Sequence, residues 1–344
     1  MCTLILSPEC LSELPRFSIR EPHALNADPP DAIAVEDLHK TYRSGGKGHP
    51  ALQGVSFQLR RGERLAYLGP NGAGKTTMIR CLSGRARPDR GTIKLLGRTL
   101  QGASPRDALG LVPQEIALYG DLTTRENLVA FGRFYGLRGK TLAGRVQWAL
   151  QWTGLADRSD DLVGTFSGGM KRRVNLACGV LHEPAVLLLD EPTVGVDPQS
   201  RERIFSMLCQ LHDAGTSVLL TTHQLDEAET QCDRIVVVDH GRVIASGTFD
   251  ELVQQTIGTG RLVRLRLAGP LRGTGNESLA VAGLPLTARP GEDTVSARVS
   301  DIASGLPRLI EAVHRADYDV RDVEVQSPSL HHVFLHLTGH ALRD

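Results

Sequence analysis

The chain carries no excess of charge of either sign: 39 basic and 39 acidic residues cancel over 344 positions. That excludes a global basic field able to recruit nucleic acid or an anionic membrane surface. Long hydrophobic runs are also missing. None approaches the about 20 apolar residues of a membrane-spanning helix, so the chain is expected to be soluble and any membrane role to come through a partner. The six cysteines, Cys2, Cys10, Cys81, Cys178, Cys209 and Cys232, include no C-x-x-C pair. Such scatter suits a reducing compartment and argues against a disulfide framework or a zinc site. No basic segment followed by an apolar core opens the sequence, which speaks against a secretory signal and predicts a cytoplasmic protein.

What is present is organised around Gly69-Pro70-Asn71-Gly72-Ala73-Gly74-Lys75-Thr76-Thr77. An apolar run, Leu65 to Leu68, precedes this stretch and an apolar-periodic helix from Met78 follows it. G-x-x-x-x-G-K-T between strand and helix is the spacing of a phosphate-binding loop. Glycine is required because successive backbone N–H groups must curl inward onto phosphate oxygens, and a Cβ obstructs that approach. The helix that follows adds its positive N-terminal end. Lys75 is placed to reach the β- and γ-phosphates, and the Thr76 hydroxyl to ligate Mg²⁺.

The remaining pattern is α/β. Residues 1–32, with five prolines in the first thirty, read as a poorly ordered extension. Strands are expected near 33–38, 52–59, 64–68, 91–96 and 109–112, with a glycine turn at 44–48. Tyr42 stands before that turn, where a flat ring can stack on adenine. From about 114 the character becomes helical. Thr123-Thr124-Arg125-Glu126 is a capping box opening a helix through Phe134, Gly136 and Gly139 are breaks, and a second helix runs from about Leu142 to Trp152. This helical subdomain, about 114–180, ends in a helix headed by Phe166-Ser167-Gly168-Gly169-Met170. The continuous apolar run Val186 to Leu189 fits a parallel strand buried on both faces. A helix over 198–214, a strand over 217–221 and a hairpin turning at His240-Gly241 complete a domain over 33–257. Beyond it, 258–344 reads as a small α+β domain: strands around 263–267, 295–299 and 320–325, a helix capped by Asp301, and a terminal helix. Its histidines His331, His332, His336 and His340 read as a solvated face and not as a metal site.

Four further positions carry chemistry. Asp190 stands at the carboxyl end of a buried strand, where α/β sheets bind ligands, and can hold the Mg²⁺ water shell opposite Thr76. Glu191 follows, and strand alternation is expected to turn it elsewhere, free to orient or deprotonate a water aimed at the γ-phosphate. Gln114, after a strand end, is suited to complete the shell of Mg²⁺ or of that water. His223, also after a strand end, can hydrogen-bond the γ-phosphate.

In this order the motifs resemble the nucleotide-binding subunit of ATP-binding cassette (ABC) transporters over about 33–250. Tyr42 matches the adenine-stacking aromatic, Gly69 to Thr76 the Walker A loop, Gln114 the Q-loop, and Phe166 to Met170 the LSGGQ signature. Asp190 and Glu191 match the Walker B aspartate and catalytic glutamate, Val194 to Asp197 the D-loop, and His223 the switch histidine. Met170 departs from the signature glutamine, and Asp197 remains the polar group of the D-loop. The resemblance implies a P-loop NTPase fold of the ABC type with an antiparallel β subdomain, a helical insertion and an added α+β domain. It further implies ATP and Mg²⁺ as ligands, and a head-to-tail homodimer or paralogous pair in which Ser167, Gly168 and Gly169 of one copy complete the site of the other. The text around Phe166–Arg173 and Asp190–Pro198, and the tail Pro328–Gly339, resemble ABC-2-type drug and polysaccharide exporters. These carry separate polytopic permeases and place the ATPase at the inner face of the membrane. A soluble ABC ATPase acting on nucleic acid or ribosomes is the alternative; such relatives usually carry two cassettes, coiled coils or zinc modules, none of which is found, and charge neutrality disfavours a nucleic-acid partner.

Overall fold

The computed structural model describes residues 30–45, 47–100, 107–271, 286–288 and 293–339. Of the expected N-terminal extension, all but residues 30–32 lies outside the described residues. These three are anchored: Arg61 Nε donates to Pro30 O and Leu96 N to Ala32 O, each at 3.0 Å. The described residues divide into two compact units, one up to Ser246 and one from Gly247.

In the first unit β1 (Ile33–Ser44) and β2 (Lys47–Leu59) pair antiparallel, with Ile33 opposite Leu59 and Val35 opposite Phe57. The strands extend further than the sequence suggests. The ladder continues through Tyr42–His49 to Ser44–Lys47, and Gly45 at φ 56° adopts the left-handed conformation that a tight reversal asks of glycine. β3 (Arg64–Leu68) runs through the loop 69–74 into α1 (Lys75–Leu82). β4 (Arg90–Leu95) and β5 (Arg98–Thr99) complete the first sheet in the order β2-β1-β4-β5.

After β6 (Leu109–Val112) comes α2 (Thr124–Phe134), where Thr123 and Glu126 form the expected reciprocal capping box. α3 (Gly139–Thr153) begins at a residue expected to be a break. Gly139, at φ 53°, opens the helix because a first-turn residue needs no intrahelical N–H bond and its missing Cβ permits the entry angle. α4 (Gly168–Val180), β7 (Val186–Asp190), α5 (Pro198–Asp213), β8 (Ser217–Thr222), α6 (Leu225–Gln231), β9 (Arg234–Asp239) and β10 (Arg242–Gly247) follow.

The central sheet has the order β10-β9-β3-β8-β7-β6. Its inner pairs β9–β3, β3–β8, β8–β7 and β7–β6 are all parallel. β7 is buried throughout, and its side chains alternate between two cores. Leu187 and Leu189 join the helices of the insertion, while Val186 and Leu188 join β1, β2 and α1. A strand covered on both faces in this way fixes its carboxyl end with little freedom.

The second unit contains α7 (Phe249–Thr256), again with a capping box, then β11 (Arg261–Leu267), β12 (Leu286–Ala288), β13 (Thr294–Val299), α8 (Ile302–Arg315), β14 (Val320–Gln326) and α9 (Leu330–Thr338). The antiparallel sheet runs β12-β13-β11-β14. Val263, Leu265, Val295 and Ala297 pack under Leu309 and Val313 of α8, whose first turn Asp301 caps. Val323 and Val325 lie beside Leu265 and Val263 on this same side. They stay 38% and 40% exposed because β14 is an edge strand. Of the C-terminal histidines, His332 Nδ1 lies 2.8 Å from Ser329 Oγ, and His340 is outside the described residues.

Candidate functional site

The carboxyl ends of β3, β6, β7 and β8 deliver four segments to one place, as open parallel sheets do. The loop after β3 wraps an open cleft of about 670 Å³ lined by Asn71, Gly72, Gly74, Lys75, Thr76 and Thr77, with Gln114 and Glu191 facing them. Two glycines are obligatory for this shape. A Cβ on Gly69 would strike the Val238 carbonyl oxygen, and one on Gly74, which caps α1 at φ 98°, would strike that of Ala51. Ala73 N donates to Pro70 O at 3.2 Å and closes the loop. The Lys75 side chain, 5% exposed, folds back so that Nζ donates to Gly69 O at 2.9 Å and Pro70 O at 3.2 Å.

The two carboxylates behind the loop are held differently. Asp190 Oδ1 accepts from Thr221 Oγ1 at 2.7 Å and from Thr76 Oγ1 at 3.4 Å. Burial pushes its carboxyl up from the ordinary value, and the two hydroxyls oppose that shift. Glu191, 6% exposed, meets three of the expected site residues. Its Oε1 lies 3.0 Å from Lys75 Nζ and 3.2 Å from His223 Nδ1, and its Oε2 accepts from Gln114 Nε2 at 3.2 Å. The His223 contact is close but not aligned as a hydrogen bond. Strand alternation is not what aims Glu191: its backbone is left-handed at φ 47°, with N–H donating to Thr221 O and Oγ1, so the strand has already ended in a kink.

Lys75, Thr76, Gln114, Asp190, Glu191 and His223 are thus brought together. Tyr42 is 38% exposed on β1, with Lys40 Nζ 5.6 Å from its ring centre, and does not line the cleft. Nor do the described residues of the second glycine motif. Ser167 caps α4, its Oγ accepting Met170 N–H at 3.3 Å, and Gly168 and Gly169 form the first turn. Gly169 admits no Cβ, because Ser200 Oγ fills that space. Asp197 caps α5 by accepting from Ser200 N at 2.9 Å, and Ser200 packs against Gly169, so the two helix starts lie side by side. Met170, at the position of the signature glutamine, packs against the core of the helical insertion.

The sequence pattern overlooks several buried supports. Arg172, one turn into α4, donates through Nη1 to Pro113 O at 3.2 Å and Gln114 O at 2.7 Å, pinning the loop that carries Gln114. Its only sequence signal is a run of three basic residues after Met170, which reads equally well as a wet helix face. Glu227, with Thr193 and Thr222, forms a second support behind the site.

Comparison with known proteins agrees with this geometry. The ABC transporter family profile matches residues 52–194. The chain is 37% identical over 320 residues to the linearmycin resistance ATP-binding protein LnrL of Bacillus subtilis, covering 91% of this chain and all of the relative. It is 43% identical over 228 residues to the Nod factor export ATP-binding protein I of Ralstonia nicotianae, covering 66% of this chain and 70% of that protein. Among solved structures it resembles a dimeric ATP-binding cassette in a post-hydrolysis state bound to ADP and Pi, at TM-score 0.58 and 26% identity, over 63% of this chain and 98% of that one. With the full length of a relative matched and the nucleotide-site geometry in place, the chain belongs to the ATP-binding subunits of ABC transporters, on the branch whose named members serve resistance and export systems, and it is an ATPase.

Proposed function

We propose that this chain is the ATP-hydrolysing motor of an exporter, acting head to tail with a second copy or a paralogue beneath a separate polytopic membrane permease at the inner face of the cell membrane. The observation that carries this reading is the division of the chemistry. Lys75, Thr76, Gln114 and Glu191 line one cleft, with Asp190 bonded to Thr76 and His223 beside Glu191, while Ser167, Gly168 and Gly169 present a second helix N-terminus that does not line it. Two half-sites in one chain, a phosphate loop and a separate helix N-terminus, suit a two-fold dimer with two composite sites. Tyr42 is assigned to the adenine and Asp197 to the contact between copies.

Thr76, Asp190 and Gln114 offer only hard oxygen ligands around one point, a donor set that fits Mg²⁺. Bound there, the metal would neutralise charge on the phosphoryl oxygens. The chain's own residues do the rest. Incoming phosphate replaces Glu191 as the anion facing Lys75, which frees the Glu191 carboxylate to orient and deprotonate water. Gln114 already donates to Glu191, and His223 lies beside it.

The functional cassette is assigned to 33–257 and the accessory domain to 258–344. Cargo choice is assigned to the permease, and engagement of the permease to the helical insertion. Among the described residues no helix is long and apolar enough to cross a membrane. The test is Glu191→Gln. The variant should bind ATP and form an ATP-dependent dimer by gel filtration, yet lose turnover by at least about 100-fold. Undiminished ATPase activity would refute the assignment.

A further inference from the structure

A third buried carboxylate lies behind the site, and neither the metal nor the water chemistry uses it. Glu227, in the first turn of α6, is 2% exposed. Thr193 Oγ1 donates to its Oε1 at 2.5 Å, and Thr222 Oγ1 donates to its Oε2 at 2.9 Å. Arg201 Nε approaches Oε1 to 3.7 Å. The Thr222 hydroxyl also accepts the Gln224 N–H at 2.9 Å, which leaves its proton directed at the carboxylate.

These partners come from three separate segments, and each borders a group of the site. Thr193 stands two residues after Glu191. Thr222 immediately precedes His223. Arg201 lies in the first turns of α5, the helix that Asp197 caps. An ionisable group at this depth is retained only where its oxygens are bonded, and filling the space alone is better served by an apolar side chain.

The groups it borders need such a tie. Glu191 sits in a left-handed kink, and the turn that follows is held by two bonds, a long one from Val194 N to Glu191 O at 3.4 Å and one from Val196 N to Thr193 O at 3.2 Å. His223 Nδ1 is 3.2 Å from Glu191 without hydrogen-bond alignment, so that contact does not lock itself. The mutual placement of Glu191 and His223 must come from the backbones that carry them. Those backbones meet at the Glu191 N–H, which donates to Thr221 O and Oγ1, and beyond that point Glu227 ties Thr193 to Thr222.

We propose that Glu227 is a positioning residue for ATP hydrolysis: its carboxylate clasps the Thr193 and Thr222 hydroxyls and so fixes Glu191 and His223 relative to one another. It touches neither nucleotide nor reacting atoms. Its loss should therefore lower turnover and leave ATP binding intact.

The experiment measures ATP turnover of the full chain for Glu227→Gln, Thr193→Val, Thr193→Ser and Thr222→Val, with melting temperature and affinity for a fluorescent ATP analogue read on the same samples. Glu227→Gln, Thr193→Val and Thr222→Val should each lose about 10-fold in kcat with KM for ATP within about twofold of wild type. Thr193→Ser, which keeps the hydroxyl, should restore kcat. Combining Glu227→Gln with Thr193→Val should cost little beyond the larger single loss, since both cut one tie. An unchanged kcat in folded Glu227→Gln, a loss confined to KM, or equal impairment by Thr193→Ser and Thr193→Val would overturn the proposal. Should Glu227→Gln melt below the assay temperature, the near-isosteric Thr193→Val and Thr193→Ser pair decides it.

Discussion

At the scale of single residues, burial without full hydrogen bonding is where this protein is sensitive to its surroundings. His182 follows α4, with its ring stacked on Tyr135 at 3.7 Å between centroids and Nε2 lying 3.0 Å from Leu109 O. Its Nδ1 is buried and has no hydrogen-bond partner among the described residues. Burial lowers its pKa from the ordinary value, the Leu109 carbonyl opposes that shift, and the nearby Arg145 charge adds to it. The folded value therefore lies below the unfolded one. As pH falls through about 6.5, the unfolded chain takes up the proton first, and stability declines with pH. Urea unfolding followed from pH 7.5 to about 5.5 should show this decline in the wild type and a shallower one in His182→Gln. Equal slopes would mean that His182 does not titrate in this window.

The same scale marks the limits of sequence reading. The loop 69–77 and the capping box at Thr123 are legible because fixed local spacing of particular residue types suffices for each. Asp190, Glu191, Gln114 and His223 are legible as strand-end residues. The aim of Glu191 is not, because a φ of 47° leaves no mark on composition. Arg172 and Glu227 escape for another reason. Gln114 lies 58 positions from Arg172 and Thr193 lies 34 from Glu227, and a lone charged residue on a helix reads as solvated until the fold buries it.

At the scale of elements, the helical insertion is rigid on one side and bare on the other. Leu128, Val146, Leu150 and Trp152 join the core shared with Leu187 and Leu189. Arg145 ties α3 to the end of α4 by donating to Leu181 O and Val180 O and pairing with Glu183 at 2.9 Å. Toward the outside, half-buried Phe131 contacts Tyr119 and Phe134 at centroid spacings of 6.3 Å and 5.9 Å, and Phe134 is 70% exposed. An aromatic cluster of this kind on a well-packed base suits a docking face. It supports the reading that the permease engages the insertion. Phe134→Glu should leave the ATPase activity of the isolated chain within about twofold, because the ring contributes nothing to the cleft, while moving the protein from the membrane fraction of its host to the soluble fraction. Retention on membranes at the wild-type level would place the docking face elsewhere.

At the scale of the whole molecule, the proposed dimer makes a prediction that no single-chain site can meet. Each composite site takes Lys75 from one copy and Ser167 from the other. Lys75→Ala alone spoils both sites of its homodimer, and so does Ser167→Ala. A heterodimer of the two places both lesions in one site and leaves the other with an intact Lys75 and an intact Ser167. Random mixing yields half heterodimers with one working site in two, so co-refolded or co-expressed variants should recover about a quarter of wild-type turnover. The control carries both substitutions in one chain and is mixed with wild type. Its heterodimers have one lesion in each site and should be silent, leaving only the wild-type homodimers active. Activity of the first mixture no higher than the mean of its two components would remove the composite site, and with it the assignment of Ser167, Gly168 and Gly169 to the partner's nucleotide. Recovery of the first mixture to about a quarter, with the control held to about the quarter supplied by its wild-type homodimers and not the roughly half expected of independent chains, would tie turnover to the meeting of two copies.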